Sequence, residues 1–244
     1  MRKFGLLGKN ISYSFSRNYF ENKFENENIH NVSYENFDIP AIENFPVIVS
    51  EIKNLMGLNV TIPYKETIIP YLDKLDPTAK TIGAVNTIKI TKKGLLKGYN
   101  TDYYGFKKSI KPLLKKQHKK ALVLGTGGAS KAVAYALDKL GIKYRFVSRT
   151  PNDNALNYES LNKDLIASHL IIINCTPLGT FPNITNCPNI PYNFLTKDHI
   201  LYDLIYNPEE SQFLKNGIQK GCTVINGLKM LELQAEKSWK IWNR

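Results

Sequence analysis

The sequence predicts an α/β fold of two domains, and two observations support this prediction. Over residues 1–102, short apolar runs alternate with segments of helical periodicity, as in a mainly parallel α/β sheet. After a basic segment, a compact apolar run leads into a glycine-rich loop, a helix and a second apolar run, which is typical of a doubly wound sheet. We therefore expect a first domain over residues 1–102, completed by a C-terminal helix over 226–244. A second domain would span 103–225, with a cleft between the two.

The elements of the first domain follow from the spacing of its apolar residues. Short apolar runs typical of strands lie at residues 3–7, 32–37, 57–62, 85–90 and 95–98. Lys92-Lys93-Gly94 separates the last two runs and predicts a hairpin turn. Helices are expected over 16–25, which has Tyr19, Phe20 and Phe24 on one face, and over 65–72, after Pro63. Residues 47–49 are apolar but too few to assign.

The second domain repeats the alternation of strands with helices. Strands are expected at 120–125, 144–147, 170–174 and 200–204. A basic helix is expected over 103–116. A second helix should follow the glycine-rich loop and end at Gly141, and a third should span 228–242. The helix after the loop has one apolar face, formed by Val133, Ala136, Leu137 and Leu140. This order predicts parallel pairing of the strands.

Composition limits the class of protein. The 244 residues are 43% hydrophobic and 22% charged, as in an ordinary globular protein with a sizeable core. The apolar run after Met1 is too short for a signal peptide, and no run is long enough to cross a membrane. Cys175, Cys187 and Cys222 lack CxxC spacing, and the histidines form no metal-binding pair. We expect a cytoplasmic protein without disulfides or a metal site.

The formal net charge is +12, from 33 Lys and Arg against 21 Asp and Glu. Such an excess suits nucleic acid, an anionic membrane surface or anionic small molecules as partners. Part of it lies in one run: Lys107, Lys108, Lys111, Lys115, Lys116, Lys119 and Lys120. No motif of a nucleic-acid-binding module accompanies this run, so we interpret it as a solvated helix face. The expected partner is a small molecule, with no nucleic acid and no membrane.

The glycine-rich loop predicts a dinucleotide site. Gly125, Thr126, Gly127, Gly128 and Ala129 connect a strand to a helix, with the next strand in its expected place. Gly125 permits a tight turn, and the absence of Cβ atoms at Gly127 and Gly128 lets backbone approach a pyrophosphate. A plain tight turn would explain the loop alone. The complete strand, loop, helix and strand order favours a Rossmann-like nucleotide domain.

The end of the next strand indicates which cofactor the domain binds. An NAD enzyme usually carries an acidic residue there, which accepts from the ribose 2′-hydroxyl. This sequence has Ser148-Arg149-Thr150. An arginine can form two hydrogen bonds with a 2′-phosphate, although a surface arginine is the plainer interpretation. The position of Arg149 favours NADP over NAD.

Polar residues gather where the strands of the first domain end. Ser14 and Ser16 follow the first strand, where two hydroxyls could reach one carboxylate, and Ser16 is also well placed to cap the following helix. Thr61 and Lys65 lie around the turn at Pro63. Asn86 begins a strand, and Thr101 and Asp102 follow another. Each segment alone is common, but together they suit a hydroxylated ring acid.

These segments resemble the shikimate dehydrogenase family over nearly the whole chain. The residues that carry the resemblance are Asn59–Lys65 with Glu66, Gly83–Thr87, Tyr99–Asp102, Gly125–Ser130, Ser148-Arg149-Thr150, Tyr202–Pro208 and Asn226-Gly227-Leu228 with Gln234-Ala235. The motifs have the family's order and spacing. The resemblance implies an NADP-dependent oxidoreductase that reversibly reduces 3-dehydroshikimate to shikimate, in the biosynthesis of chorismate and aromatic amino acids.

The resemblance also implies a role for each matching position. Substrate would be bound by Ser14, Ser16, Thr61, Lys65, Asn86, Thr101, Asp102, Tyr206 and Gln234. NADP would be bound by Gly125, Thr126, Gly127, Gly128, Ala129, Ser148, Arg149 and Thr150, with Thr176, Leu204 and Gly227 near the nicotinamide. Lys65 and Asp102 would be catalytic: Lys65 as the acid and base, Asp102 as its positioning or relay partner.

Three positions depart from the family's usual pattern. Asp153 stands where a second basic residue often follows the Arg-Thr pair, which weakens the expected selectivity for NADP. Asn226 stands where Asp is common, and Thr180 where Met is frequent. None of these departures removes Lys65 or Asp102.

Two alternatives remain open from the sequence. The first is a quinate and shikimate dehydrogenase with relaxed use of NAD and NADP, which Asp153 favours. The second is a basic, non-catalytic binding protein on the same fold, against which the retained Lys65 and Asp102 argue. The apolar residues of the last helix suit core packing or a dimer face, so we expect a monomer or a homodimer.

Overall fold

The computed structural model describes residues 1–12, 14–150 and 155–244, and these divide into two compact units. The first unit comprises Met1–Thr101 with Gln234–Arg244, and the second comprises Asp102–Leu233. The expected domains gave residues 226–244 to the first domain, whereas residues 226–233 belong to the second unit. The boundary falls inside a helix because the apolar face of its first turns packs in the second unit, where Met230 is a core residue.

The first unit is an α/β unit with a mixed sheet. Its strands are β1 (Arg2–Gly8), β2 (Val32–Asp38), β3 (Leu55–Val60), β4 (Lys74–Leu75), β5 (Thr87–Ile90) and β6 (Leu96–Tyr99). Its helices are α1 (Phe15–Asn26), α2 (Phe45–Glu51) and α3 (Pro77–Ile82), with 3₁₀ turns at Ile42–Asn44 and Ile69–Tyr71. The strand order is β2-β1-β3-β5-β6-β4, and the β1–β2, β1–β3 and β4–β6 pairs are parallel. The β5–β6 hairpin is confirmed, with Gly94 at a φ of 79° in its turn.

Alternating side chains of the central strands serve two cores. Leu7 and Leu58 belong to a cluster on one face of the sheet, whereas Leu6 packs with Phe20 and Trp242 on the other. The period of two along the strand places successive residues on opposite faces. The sheet is therefore covered on both sides, and its polar groups are left at its edges and strand ends.

The helix expected over residues 65–72 is wrong. The structure has consecutive turns there and only the short 3₁₀ segment Ile69–Tyr71. Pro70 lies in the middle of this segment and has no N–H to donate to a helical carbonyl, so a regular helix cannot pass through it. The consequence for function is that Lys65 lies on a turn rather than on a helix face.

The second unit has a fully parallel sheet. Its strands are β7 (Lys120–Leu124), β8 (Lys143–Val147), β9 (Ala155–Leu156), β10 (Ile171–Asn174), β11 (Ile200–Asp203) and β12 (Thr223–Ile225). Its helices are α4 (Asp102–Ile110), α5 (Gly128–Asp138), α6 (Lys163–Ser168), α7 (Gln212–Ile218) and the first turns of α8 (Leu228–Trp242), with 3₁₀ turns at Lys111–Leu113 and Tyr192–Phe194. The order β12-β11-β10-β7-β8-β9 is that of a doubly wound sheet, which confirms the predicted fold class.

The doubly wound order has a functional consequence. The chain moves outward from β7 through β8 to β9, then returns to β10 on the other side of β7. Ligands of such sheets bind outside the carboxyl ends of the strands at this reversal of direction. The residues that follow β7 and β10 are therefore the expected position of a nucleotide site.

The basic helix is shorter than expected. Residues 103–116 were predicted as one helix, whereas α4 ends at Ile110 and a 3₁₀ turn covers Lys111–Leu113. Pro112 explains the early end because it disfavours a helical conformation at Lys111 and removes a donor. The lysines after it lie outside any long basic helix.

Within the described residues, no helix is both long and apolar enough to pass through a bilayer. The same part of the chain holds no group of three or more His, Cys, Asp or Glu arranged to bind a metal ion. Cys175, Cys187 and Cys222 are free thiols.

Candidate functional site

One edge of the first unit collects polar side chains from several strand ends. Asn59 pairs with Thr87 across β3 and β5, and Thr87 pairs with Tyr99 across β5 and β6. Because β5 runs antiparallel to both neighbours, its first residue lies beside the last residues of β3 and β6. The residues just before β5 and just after β6 therefore meet at the same edge.

Asn86, Thr101 and Gln234, three of the predicted substrate residues, are in contact there. The Asn86 side-chain nitrogen donates to Thr101 Oγ1 (3.0 Å) and to Gln234 Oε1 (3.2 Å). The backbone nitrogen of Thr101 donates to Asn86 Oδ1 (2.6 Å). All three residues are buried, with Thr101 0% exposed. Buried amides and hydroxyls so arranged suit the recognition of ring hydroxyls.

Three further residues complete this polar network, and none was among the predicted site residues. The Asn59 side-chain nitrogen donates to Thr87 Oγ1 (3.3 Å) and to Ser238 Oγ (3.0 Å). The Ser238 hydroxyl also lies 2.8 Å from Thr87 Oγ1 and 3.1 Å from Thr101 Oγ1. A signal existed in the sequence, because Ser238 lies one helical turn after Gln234 and therefore on the same face of α8.

Tyr34 extends the network toward the first helix. Its hydroxyl donates to Asn59 Oδ1 (2.9 Å). Burial raises the pKa of Tyr34 well above its usual value, and a hydrogen bond with the Ser16 side chain opposes that shift. The phenol stays protonated at ordinary pH. Ser16 is thus connected through Tyr34 and Asn59 to the residues around Asn86.

Ser14, rather than Ser16, caps the first helix. The helix begins at Phe15, one residue earlier than expected, and the Ser14 hydroxyl accepts from the Ser16 backbone nitrogen (3.2 Å). This corrects the assignment of the capping role to Ser16, which lies inside the first turn and is buried. Asp38 holds the backbone at Asn10 and Ile11, because its carboxylate accepts from their nitrogens (2.9 and 3.0 Å).

Thr61 and Lys65 lie on the turn after β3. The Thr61 carbonyl accepts from the Tyr64 nitrogen (2.9 Å), and the Lys65 carbonyl accepts from the Val85 nitrogen (2.7 Å). The buried Tyr64 side chain anchors the turn by donating from its hydroxyl to the carbonyl of Ile39 (2.7 Å). The backbone of Lys65 is thereby fixed next to the residue that precedes Asn86, while its side chain is half-buried.

Asp102 opens α4 and is the first residue of the second unit. It directly follows Thr101, which belongs to the polar network of the first unit. Its side chain is buried. A carboxylate at the first turn of a helix is favoured by the helix dipole.

The glycine-rich loop of the second unit has the geometry that its sequence predicts. Gly125 adopts a φ of 102°, which an L-residue rarely adopts, and its nitrogen donates to the Val147 carbonyl (2.8 Å). Gly127 is the N-cap residue of α5, and a methyl group placed on it would meet nothing within 4 Å. The N-terminus of α5 therefore faces open space beside Thr126, Gly128 and Ala129. A helix N-terminus in this position suits a phosphate group.

The predicted 2′-phosphate residues follow the neighbouring strand. Ser148 is held by its nitrogen donating to the Leu156 carbonyl (2.8 Å), and its hydroxyl accepts from the Thr150 nitrogen (3.2 Å). Arg149 is exposed. Because β7 and β8 are neighbours, these residues and the glycine-rich loop leave the same edge of the sheet. Asp153, the predicted departure, lies outside the described residues.

A buried network orders the residues after β10. The Asn174 side-chain oxygen accepts from both the nitrogen (3.0 Å) and the hydroxyl (2.6 Å) of Thr176. The Asn174 side-chain nitrogen donates to Asp203 Oδ1 (3.0 Å), and Asp203 also accepts from the Ile205 nitrogen (3.0 Å) and the Ser211 hydroxyl. Burial raises the pKa of Asp203 to about 6, against the effect of these donors. Sequence reasoning did not single out Asn174 or Asp203.

Leu204 and Gly227, both predicted on the nicotinamide side, are in direct contact. A Cβ atom on Gly227 would overlap the carbonyl group of Leu204, so only glycine fits. The Leu204 nitrogen donates to the Asn174 carbonyl (3.0 Å), which connects it to the network around Thr176. Tyr206 follows two residues after Leu204 and is half-buried.

Asn226 performs the capping that an aspartate would perform at this position. Its side-chain oxygen accepts from the Leu228 nitrogen (3.1 Å) at the start of α8. Its side-chain nitrogen donates to the Glu209 carbonyl (3.0 Å), which a carboxylate could not do. Asn226 therefore still caps α8, although it departs from the family's usual pattern.

Comparison with known proteins places the chain among shikimate dehydrogenases. Residues 6–88 match the profile of the shikimate dehydrogenase substrate binding domain. A shikimate dehydrogenase (NADP(+)) of Methanococcus aeolicus is 41% identical over 98% of this chain and 90% of its own length. The crystal structure of the Aquifex aeolicus shikimate dehydrogenase is 35% identical, covers 100% of this chain and 92% of its own, and has a TM-score of 0.88. A Thermus thermophilus shikimate 5-dehydrogenase, solved in complex with NADP(H) and shikimate, is 31% identical over 99% of this chain and 93% of its own, with a TM-score of 0.87.

Proposed function

The chain belongs to the shikimate dehydrogenase family, and we propose that it catalyses the NADP-dependent, reversible reduction of 3-dehydroshikimate to shikimate. The observation that carries this proposal is the buried contact of Asn86, Thr101 and Gln234 in a unit that also holds Lys65. Amide and hydroxyl groups from three separated segments converge there, as recognition of several ring hydroxyls requires. The reaction would supply shikimate for the biosynthesis of chorismate and aromatic amino acids.

Substrate binding is divided between two chemistries. Ser14 and Ser16, at the start of α1, bind the carboxylate. Thr61, Asn86, Thr101 and Gln234 bind the ring hydroxyls or the carboxylate, and Tyr206 lines the substrate site. The hydrogen bonds of the polar network support this division because they present side-chain groups that are already oriented.

The residues of the second unit fit NADP. The open space at Gly127 admits a diphosphate to the N-terminus of α5, with Gly125, Thr126, Gly128 and Ala129 around it. Ser148, Arg149 and Thr150 hold the 2′-phosphate, and Thr176, Leu204 and Gly227 lie near the nicotinamide. When bound, NADPH supplies the hydride that reduces the ring carbonyl.

Lys65 and Asp102 handle the proton. As the carbonyl is reduced, negative charge grows on its oxygen, and the Lys65 ammonium donates a hydrogen bond and then a proton to that oxygen. Asp102 has the positioning or relay role in this proton transfer. In the reverse direction the Lys65 amine accepts the hydroxyl proton.

A direct assay tests the proposal. Purified protein is mixed with shikimate and NADP, and formation of NADPH is followed by its absorbance. We expect strong reduction of NADP, and no reduction when either substrate is omitted. Absence of turnover from folded protein, with every acid and cofactor tried, would overturn the proposed function.

One alternative within the family has support from a specific residue. Asp153 adds negative charge four positions after Arg149 in the sequence, which would reduce discrimination against NAD. The same assay with NAD and with quinate separates the two functions. Comparable rates with NAD or quinate would identify a broader quinate and shikimate dehydrogenase.

We place the protein in the cytoplasm, as a monomer or a homodimer. Three free thiols support a reducing compartment. Light scattering on the purified protein measures its mass, and a mass above that of a dimer would contradict the assignment.

A further inference from the structure

Four side chains that are hydrogen-bonded within the network of the candidate substrate residues have no role in the proposed reaction. They are Tyr34, Asn59, Thr87 and Ser238, all buried in the first unit, with Thr87 and Ser238 0% exposed. They add three hydroxyls and one amide to the buried amides and hydroxyl of Asn86, Thr101 and Gln234. Burying a polar group costs free energy unless the group is hydrogen-bonded, so each of these side chains requires a partner inside the unit.

The hydrogen bonds fix which end of each amide is the oxygen. The backbone carbonyl of Asn86 can only accept, so the Asn59 group 3.2 Å from it is its nitrogen. The Asn59 oxygen then faces Tyr34, which donates to it. In the same way, the Thr101 N–H fixes the Asn86 oxygen, and the Asn86 nitrogen fixes Gln234 Oε1 as an acceptor.

The hydroxyls of the network share donors and acceptors with these amides. The two N–H bonds of the Asn59 amide have three acceptors within reach, which are the Asn86 carbonyl (3.2 Å), Ser238 Oγ (3.0 Å) and Thr87 Oγ1 (3.3 Å). The Ser238 proton has the Gln234 carbonyl at 2.9 Å as an acceptor, and the Thr87 proton has Asn86 Oδ1 at 3.1 Å. Thr101 lies within 3.2 Å of both hydroxyls. Its own proton also has Asn86 Oδ1 (3.2 Å) and Gln234 Oε1 (3.3 Å) as acceptors, so the hydroxyls of Thr87 and Ser238 share the surroundings of the three candidate substrate residues.

We propose that Asn59, Thr87 and Ser238 are positioning residues that set the donor and acceptor directions of Asn86, Thr101 and Gln234, and so select a hydroxylated ring over one without hydroxyls. This inference rests on the proposed function for the identity of the ligand. Its physical basis is that a site built to hydrogen-bond a hydroxyl strongly rejects an analogue that lacks it. Tyr34 supports these three residues by donating to Asn59 Oδ1, which holds the Asn59 side chain in one orientation.

The test compares Ser238→Ala with Ser109→Ala. Ser109 is a matched control because it is also a buried helical serine. Its hydroxyl bonds to a helix carbonyl, that of Phe106 (3.0 Å), and to a second hydroxyl, that of Tyr202 (2.7 Å), but in the second unit. Dissociation constants are measured by titration calorimetry for shikimate, for NADP and for a cyclic carboxylate that lacks ring hydroxyls.

We expect Ser238→Ala to weaken shikimate binding by about tenfold, the loss of one net hydrogen bond. Binding of NADP and of the carboxylate without hydroxyls should stay within about twofold of wild type. Ser109→Ala should change none of the three constants. Thr87→Val, which removes a hydroxyl while keeping the shape of the side chain, provides a second variant if Ser238→Ala fails to fold. It should reproduce the selective loss.

Unchanged shikimate binding in both hydroxyl variants would overturn the inference, and so would an equal loss for the two acids, which indicates general loosening. The wild-type assay separates this failure from failure of the proposed function. A wild type that binds shikimate without oxidising it overturns the function, while the variants still judge the inference. A wild type that does not bind shikimate overturns both.

Discussion

The polar edge of the first unit is built from side chains, whereas the glycine-rich loop of the second unit offers mainly backbone groups. Around Asn86 and Thr101, amides and hydroxyls are buried and bonded to one another. At the loop after β7, the groups that matter are backbone N–H groups beside Gly127, where there is open space, and the exposed Arg149.

This difference follows from what each region is proposed to recognise. A ring with several hydroxyls needs donors and acceptors at defined directions, which side chains held in a network provide. A diphosphate presents many equivalent oxygens, for which a helix N-terminus and close backbone approach suffice. Single side chains should therefore dominate the behaviour of the first region, and single glycines that of the second.

The largest effect is expected from Lys65→Ala, which tests the dependence of the first region on side chains. Without the ammonium, charge on the reacting oxygen is not neutralised, and turnover should fall by about a thousandfold. NADP binding should stay near wild type, because Lys65 lies in the other unit. Steady-state kinetics and a titration with NADP measure the two quantities.

Near-normal turnover of Lys65→Ala would remove Lys65 from the mechanism. A comparable loss of NADP binding would instead mean that the variant has disturbed the fold, and thermal unfolding of the same sample distinguishes these results. Lys53→Ala, a change at an exposed lysine of the same unit, serves as the control.

The second prediction tests the role of glycine in the second region. Gly227→Ala should destabilise the protein by about 3 kcal/mol, because its methyl group would overlap the Leu204 carbonyl in a packed interior. Gly127→Ala meets open space, so its stability should stay within about 1 kcal/mol of wild type. Its NADP binding should weaken, since the methyl group occupies the approach of the diphosphate. Urea unfolding and NADP titration of both variants measure the contrast.

Equal destabilisation by the two alanines would contradict this account of glycine in the second region. Unchanged NADP affinity in Gly127→Ala would separate the glycine-rich loop from the diphosphate. Either result would weaken the distinction between a backbone site and a side-chain site.

Most strands could be predicted from sequence because their residues alternate between two cores. Apolar residues in β7 and β10 serve both faces of the sheet, which makes a compact run easy to recognise. Helices α2 and α3 were not predicted, because they are short and carry little apolar periodicity. The expected helix at 65–72 failed at Pro70, whose missing N–H outweighs a helical pattern of apolar residues.

The candidate site could be predicted only in part for a similar reason. Strand ends rich in polar residues pointed to Asn86 and Thr101, and the resemblance added Gln234. The helical spacing places Ser238 on the same face as Gln234, but its contact with Thr87 is not encoded in local spacing and follows only from the packing of α8 against β5. Asp203 was missed because an acidic residue at the end of a strand gives no sign of its burial.

The third prediction concerns this buried aspartate, which lies in a side-chain network of the second unit with Asn174 and Ser211. Burial raises the pKa of Asp203 to about 6, so the folded state holds its proton more tightly than the unfolded chain does. Its contribution to the free energy of unfolding is therefore greatest at low pH, and it falls as the pH rises from about 4 to about 6. Its titratable neighbours, Cys175 and Tyr192, have pKa values raised by burial and stay protonated throughout.

Asp203→Asn removes this titration while keeping an acceptor for Asn174 and Ile205. The free energy of unfolding of the variant minus that of wild type should rise by about 2 kcal/mol between about pH 4 and about pH 7. Urea unfolding across this range measures the difference. A difference that does not change with pH would mean that Asp203 titrates normally. Asp203→Ala, which leaves its donors without an acceptor, should be less stable than Asp203→Asn at every pH.

The smallest effect is expected from Arg149→Ala, because Arg149 is the exposed side chain on which the second region is proposed to rely. Loss of a charge-assisted hydrogen bond in a solvated position should raise the KM for NADP by about tenfold. The KM for NAD, which has no 2′-phosphate, should stay within about twofold, and turnover should be retained with either cofactor. Arg145→Ala, which removes an exposed arginine on β8 itself, is the matched control.

If Arg149→Ala raised both KM values equally, the arginine would act on a part common to the two cofactors. If it raised neither, selection of the 2′-phosphate would rest on Ser148 and Thr150, and the second region would depend on backbone and hydroxyl groups alone.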